Sequence, residues 1–361
     1  MRQLNTSSNT WLIYALGGGW GHLNRAIALG RIASSNRPVK ILTNTPYGRY
    51  IEKFLPETNC QIFAISSTAD FETTCTQVQQ ILRETDYQCL IVDTFPRGLG
   101  GELATILPEL KTSLRVLIHR DINPEYVKVK NLHRFVADCF DLVLVPGEGV
   151  EVPLAHLPGV QHTNPWLIRS AWELPIREDV ENILRLNPLD RNSKVVLVLA
   201  SGTAEELSFY GELTSILSQY SENVAVRCLS AEKPDKCPEN LWVFHWPAME
   251  CLQVADVVVG SGGYNTIYEC QALGIPLVAF AWPRLYDRQR VRVQRLVSSN
   301  YEAAGLAQSR LVLADSLETA IAAVCSELNL PVSKSSSPGY DFVNGAFSAV
   351  LAIELCCNFT K

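Results

Sequence analysis

The chain predicts an α/β protein built from two Rossmann-like, doubly wound domains facing each other across a cleft. Three observations carry that expectation. Short, β-branched apolar runs recur with helical periods between them, and the alternation stops once in a proline-bearing stretch before it restarts. The length, 361 residues, exceeds one ordinary core and suits two.

In the first half the apolar runs are WLIYAL (11–16), VKILTN (39–44), QIFAI (61–65), CLIVD (89–93), RVLIH (115–119) and DLVLVP (141–146). Hydrophobicity that is nearly continuous suits strands covered on both faces, as in a parallel sheet. Residues 22–35 and 102–110 instead repeat apolar positions at three and four, which puts Leu23, Ala26, Ile27 and Ala33 on one helical face. Residues 158–178 hold three prolines and no period, and read as a linker. Strands then resume with KVVLVLAS (194–201), NVAVRCLS (223–230), LWVFHW (241–246), ADVVVGS (255–261) and PLVAFAW (276–282). SKSSSPGY (333–340) is a turn-rich loop, and 341–356 suits a last helix. The expected division is a domain over 1–160, a linker over 161–178, a second domain over 179–335, and a C-terminal loop and helix over 336–361.

Composition narrows the function. With 47% apolar and 19% charged residues the chain belongs among folded globular proteins. A net charge of −6 without Lys/Arg blocks argues against nucleic acid as a partner. The eleven cysteines are odd in number and have no CxxC pair, so buried free thiols in a reducing cytoplasm are expected rather than a disulfide framework. Cys356 and Cys357 read as packing. The start, MRQLNTSSNT, is polar, and WLIYAL is too short for a secretory signal. Nothing approaches the ~18 consecutive apolar residues of a membrane span. A cytoplasmic protein, at most resting on the inner membrane face, is the expectation.

Three glycine-bearing turns follow strands, where open parallel sheets bind ligands. They are Gly17-Gly18-Gly19-Trp20-Gly21, Ser201-Gly202-Thr203, and Gly260-Ser261-Gly262-Gly263. The unsatisfied N–H groups and dipole of a following helix favour an anion such as a diphosphate. The first turn lacks the GxGxxG spacing, and VKILTN ends in Thr43 and Asn44 rather than an acid, so a nicotinamide dehydrogenase is a weak reading. The same turn opens a helix with His22 in its first turn. There the dipole disfavours an imidazolium and favours the neutral, proton-accepting ring. A histidine that merely hydrogen-bonds the glycine turn is the plainer alternative.

The third turn is the most informative. VADVVVGSGGYNTIYECQALGIPLVAF joins a buried strand, a glycine turn, a helix carrying Glu269, and Gly-Ile-Pro into another strand, with Asp287 and Gln289 following in YDRQR. This composite resembles the donor-binding segment of nucleotide-sugar glycosyltransferases of the two-domain GT-B fold, in the MurG-like branch of family 28. The matching residues are Gly262, Gly263, Thr266, Glu269, Gly274, Pro276, Asp287 and Gln289. GGGWGH is similar to the family's N-terminal GGTGGH turn. NPWLIR is similar to its Asn-Pro-x-x-Arg, with a longer spacing between Pro165 and Arg169. VDTFPRGLGGEL (92–103) and HRDI (119–122) look like the less characterised members of the branch.

The resemblance implies an acceptor-side first domain, a donor-binding second domain, and inverting transfer of a hexosyl or N-acetylhexosaminyl group from a UDP-sugar to a hydroxyl. It implies that His22 lines the site near the reacting centre, as the base that takes the acceptor proton. Asp93 could orient that base, act on the acceptor, or simply cap the next segment; Asp121 has a similar claim. Gly18 and Gly19 would let the first helix start close to the donor. The amides at Gly262 and Gly263 would take the diphosphate, with Ser201 and Arg169 as direct phosphate contacts and Thr266 beside them. A carboxylate on a helix between buried strands needs donors, and the resemblance gives Glu269 the ribose hydroxyls. Asp287 and Gln289 would bond the donor sugar, while Arg290 replaces the family's second glutamine. The nucleobase would rest near Phe244 and His245, with His245 structural. Trp20, Trp246 and Trp282 fall near strand ends, where aromatic faces suit sugar rings or core edges.

No DxD and no His/Cys cluster with ligand spacing occurs, so neither metal nor cofactor is expected. The expected partners are a nucleotide-sugar donor and an acceptor whose identity stays open, lipid-linked or small. PEYVKVKNLHRFV (124–136) is a candidate membrane-docking patch or a solvated helix face. A nucleotide-sugar epimerase and a non-catalytic nucleotide-sugar binder on the same fold are the alternatives.

Overall fold

The computed structural model describes residues 9–52, 55, 59–110, 113–187, 193–298, 310–330 and 341–359. The turn-rich loop expected over 333–340 lies outside the described residues. The chain forms two compact units. One comprises Met1–Leu167 with Asn344–Lys361, and the other Ile168–Val343.

In the first unit the strands are β1 (Trp11–Tyr14), β2 (Val39–Thr43), β3 (Cys60–Ala64), β4 (Cys89–Asp93), β5 (Leu114–Ile118), β6 (Leu142–Pro146) and β7 (Val160–Thr163). All pair in parallel, in the order β3-β2-β1-β4-β5-β6-β7. The most continuously apolar runs lie centrally, and β1, β4 and β6 are buried at every position because helices cover both faces. β7 falls within the stretch expected to be linker. It is an edge strand, Val-Gln-His-Thr, with a half-exposed pattern, so no apolar run announced it.

The helix Trp20–Ala33 begins two residues before its expected start, capped by Gly19 without a side-chain hydrogen bond. Its expected face, Leu23, Ala26, Ile27 and Ala33, is buried. The C-terminal helix Ala346–Phe359 belongs with this unit rather than standing apart. Asn344 fastens it: its Oδ1 accepts from Leu167 N at 3.1 Å and its Nδ2 donates to Leu167 O at 2.8 Å. Gly345 then passes so near Asn164 that a Cβ would stand 1.9 Å from the Asn164 carbonyl oxygen.

The second unit repeats the plan with β8 (Lys194–Leu199), β9 (Val224–Leu229), β10 (Trp242–Val243), β11 (Val257–Ser261), β12 (Leu277–Phe280) and β13 (Leu311–Ala314). Their order is β10-β9-β8-β11-β12-β13, again all parallel. Both sheets therefore reverse direction beside their first strand, which is where doubly wound folds place ligands. β10 is shorter than the run LWVFHW, and β13 was not foreseen. Val196, Val198, Val257, Val259, Val278 and Phe280 form the centre of this unit's core.

Candidate active site

In the first unit the chain leaves β1 through Gly17, whose φ of +146° suits glycine. Its N–H donates to Asn44 Oδ1 at 2.9 Å. The His22 ring lies against it: a Cβ at Gly17 would stand 2.4 Å from the ring's Cδ2 and 2.7 Å from Nε2. Gly18 and Gly19 are exposed, and a Cβ on either would meet nothing within 4 Å.

His22 Nδ1 pairs with Asp93 Oδ2 at 2.6 Å, and the two side chains are 17% and 0% exposed. This brings together the two residues expected to be catalytic. Asp93 ends β4 and is followed by Thr94 at φ +70°, a tight turn in which Phe95 N donates to Asp93 O at 2.8 Å. The Phe95 ring lies 5.4 Å from the His22 ring. Sequence reasoning missed Arg25, which grips Asp93 through Nε to Oδ1 at 3.0 Å and Nη2 to Oδ2 at 2.7 Å. Burial alone would raise the Asp93 carboxyl; the Arg25 charge, and after it His22, hold it well below the usual carboxylate range. The spacing GHLNR, three residues along a helix, was the available signal.

Glu102, also missed, braces the loop beyond Asp93. It accepts from Tyr14 OH at 2.5 Å and from Gly100 N at 2.8 Å. Asp121 is buried, three residues beyond the end of β5.

In the second unit Glu269 sits inside the helix Tyr264–Ala272, 7% exposed. Among the described residues its carboxylate has no hydrogen-bond or ion-pair partner, and burial pushes it up to about 8. Gly262 is shaped by packing: its N–H donates to Phe280 O at 2.7 Å, and a Cβ would be 2.7 Å from Val293 Cγ2. Gly263 caps the helix, so the amides left for an anion begin there. Thr266 is half-buried under Gly260.

The turn Ser201-Gly202-Thr203 is already partly filled. Glu206 folds back onto Thr203 N at 3.2 Å, and both its oxygens are held by Arg284 at 2.5 and 2.6 Å. Ser201 is half-buried beside it. Arg169 donates to Glu250 Oε1 at 2.7 Å while His245 Nε2 pairs with Glu250 Oε2 at 2.8 Å. Burial raises the Glu250 carboxyl, but His245 and Arg169 together pull it below its ordinary value. Glu250 thus ties an expected phosphate contact to an expected nucleobase neighbour. Phe244 is half-buried next to them, and Trp246 lies 6.0 Å below the Arg169 guanidinium.

Asp287 is bonded at 2.6 Å by the fully buried Arg292, and Gln289 is 6% exposed with Oε1 buried and, among the described residues, without a partner. Arg290 pairs with Asp315 at the surface. Among the described residues, no group of three or more His, Cys, Asp or Glu side chains is placed to hold a metal ion, and no helix is long and apolar enough to cross a membrane.

Residues 197–346 match the family described as Glycosyltransferase family 28 C-terminal domain. No curated protein matches the chain. Among solved structures it is similar to the glycotransferase of kitacinnamycin at 15% identity and TM-score 0.59, covering 96% of this chain and 99% of that one. It is also similar to the glycosyltransferase SnogD from Streptomyces nogalater (12%, TM-score 0.52, covering 97% and 95%). A putative UDP-N-acetylglucosamine 2-epimerase from Listeria monocytogenes shares the fold as well (11%, TM-score 0.59, covering 96% and 95%). Structural likeness at these identities speaks for the fold, and the family match speaks for the chemistry. The chain is a glycosyltransferase with the GT-B fold, and its residues 197–346 match the family 28 C-terminal domain.

Proposed function

We propose that the protein transfers a hexosyl group from a UDP-sugar to an acceptor hydroxyl, with inversion and without a metal ion, in the cytoplasm or at the inner membrane face. The observation that carries this reading is Glu269, a buried carboxylate without a partner among the described residues. A ribose offers two adjacent hydroxyl donors that suit such an oxygen pair. Amides from Gly263 onward, with Ser201 and Arg169, take the diphosphate, while Asp287 and the unpartnered Gln289 Oε1 bond the sugar.

His22 acts as general base. With Nδ1 engaged by Asp93, its Nε2 takes the acceptor proton as the acceptor oxygen bonds the anomeric carbon. The bond from that carbon to the diphosphate oxygen breaks, and the nucleoside diphosphate leaves with the electron pair. Asp93 stabilises the imidazolium so formed without itself being protonated.

Calorimetry with UDP, GDP and ADP in the presence of a chelator tests the donor half. Uptake of UDP that magnesium does not improve is expected, and binding that requires the cation would overturn the metal-free reading. A sugar-nucleotide panel with product mass spectrometry tests the transfer; an epimerised donor in place of a glycoside would favour the epimerase alternative.

A further inference from the structure

Arg25 stands three residues after His22 on one helix, and its side chain and that of Asp93 are both fully enclosed. The guanidinium forks across both carboxylate oxygens, and Oδ2 is shared with the His22 ring. A carboxyl removed from water goes neutral unless a cation accompanies it. A neutral Asp93 would bring its own proton to Nδ1. The ring would then carry its hydrogen on Nε2, and no lone pair would remain there to receive a proton from a substrate.

We propose that Arg25 is a positioning residue: by keeping the enclosed Asp93 ionised, it makes His22 hold its hydrogen on Nδ1 and present Nε2 as the acceptor. The inference rests on the reading of His22 as base and adds the reason this ring has the correct tautomer. An arginine that only pins the helix to β4 would leave the tautomer indifferent to its charge.

Ring 15N chemical shifts of the full chain read the tautomer without any substrate, with His22 assigned among the six histidines by comparison with His22→Gln. At a pH where the ring is neutral, the wild type is expected to show hydrogen on Nδ1. Arg25→Met is expected to lose that pattern, with the Nε2–H form taking its place, and Arg25→Lys is expected to retain it. Unchanged His22 shifts in Arg25→Met would overturn the proposal. Should the methionine variant fail to fold, Arg25→Gln, which keeps a hydrogen-bond donor but not the charge, decides in its place: loss of Nδ1–H supports the proposal, and its retention overturns it. Failure of the base assignment shows elsewhere, as undiminished turnover in His22→Gln, and leaves the tautomer result standing.

Discussion

The His22 imidazole packs against the bare α-carbon of Gly17, where any side chain would meet the ring's Cδ2 at 2.4 Å. Gly17→Ala therefore has two expected effects. The left-handed φ of +146° disfavours alanine, at about 1–2 kcal/mol. The ring must also leave Asp93, and misplacing a catalytic group by about 1 Å lowers turnover on the order of 10²-fold. His22→Gln should lower it by about 10²–10⁴-fold, the range of a general base. Both variants should bind UDP as the wild type does, by calorimetry. Loss of UDP affinity in His22→Gln would contradict the assignment of donor binding to the second domain.

Glu269 makes stability depend on pH. Its folded value of about 8 lies above that of an unfolded glutamate, so between roughly pH 4.5 and 8 the folded state holds the extra proton. Its contribution is fully present below that window and declines as pH rises through it. Glu269→Gln removes the dependence, and its urea midpoint should fall less than that of the wild type between pH 5 and 8. The same variant should bind UDP about 10–100-fold more weakly, because an amide cannot accept both ribose hydroxyls.

Glu206 joins the turn after β8 to the segment after β12. It caps its own helix in a reciprocal box with Thr203 and holds both terminal nitrogens of Arg284. Glu206→Ala should lower stability by about 1–3 kcal/mol through the lost cap and the stranded arginine, measured by urea unfolding. The freed Arg284 should also sharpen the salt dependence of UDP binding, read by calorimetry at low and high ionic strength.

Asn344 clasps both backbone groups of Leu167 and is 4% exposed. Asn344→Ala leaves those groups without partners, and about 2–4 kcal/mol of stability should be lost. Hydrogen exchange should show the helix Ala346–Phe359 opening before the strands do, and simultaneous opening would contradict its attachment at this point.

Much of the architecture was legible because a strand buried on both faces has to be apolar throughout, and that pattern survives in one dimension. Where the pattern was weak, the reading failed: β7 is polar at an edge, and β13 sits on the rim of its sheet. The glycines were visible but their reasons were not. Gly17 makes room for a ring and Gly262 for Val293, whereas Gly18 and Gly19 border open space.

The sequence by itself determined two parallel α/β units, and it carries a composite of glycines, Glu269, Asp287 and Gln289 that resembles the donor segment of nucleotide-sugar glycosyltransferases. Only the tertiary structure decided which charges meet. Asp93 lies 71 residues from His22, and Glu250 lies 81 from Arg169. Such pairs leave no period in the chain, because what selects them is the need of each enclosed charge for a partner, and that need arises only once folding has removed the water.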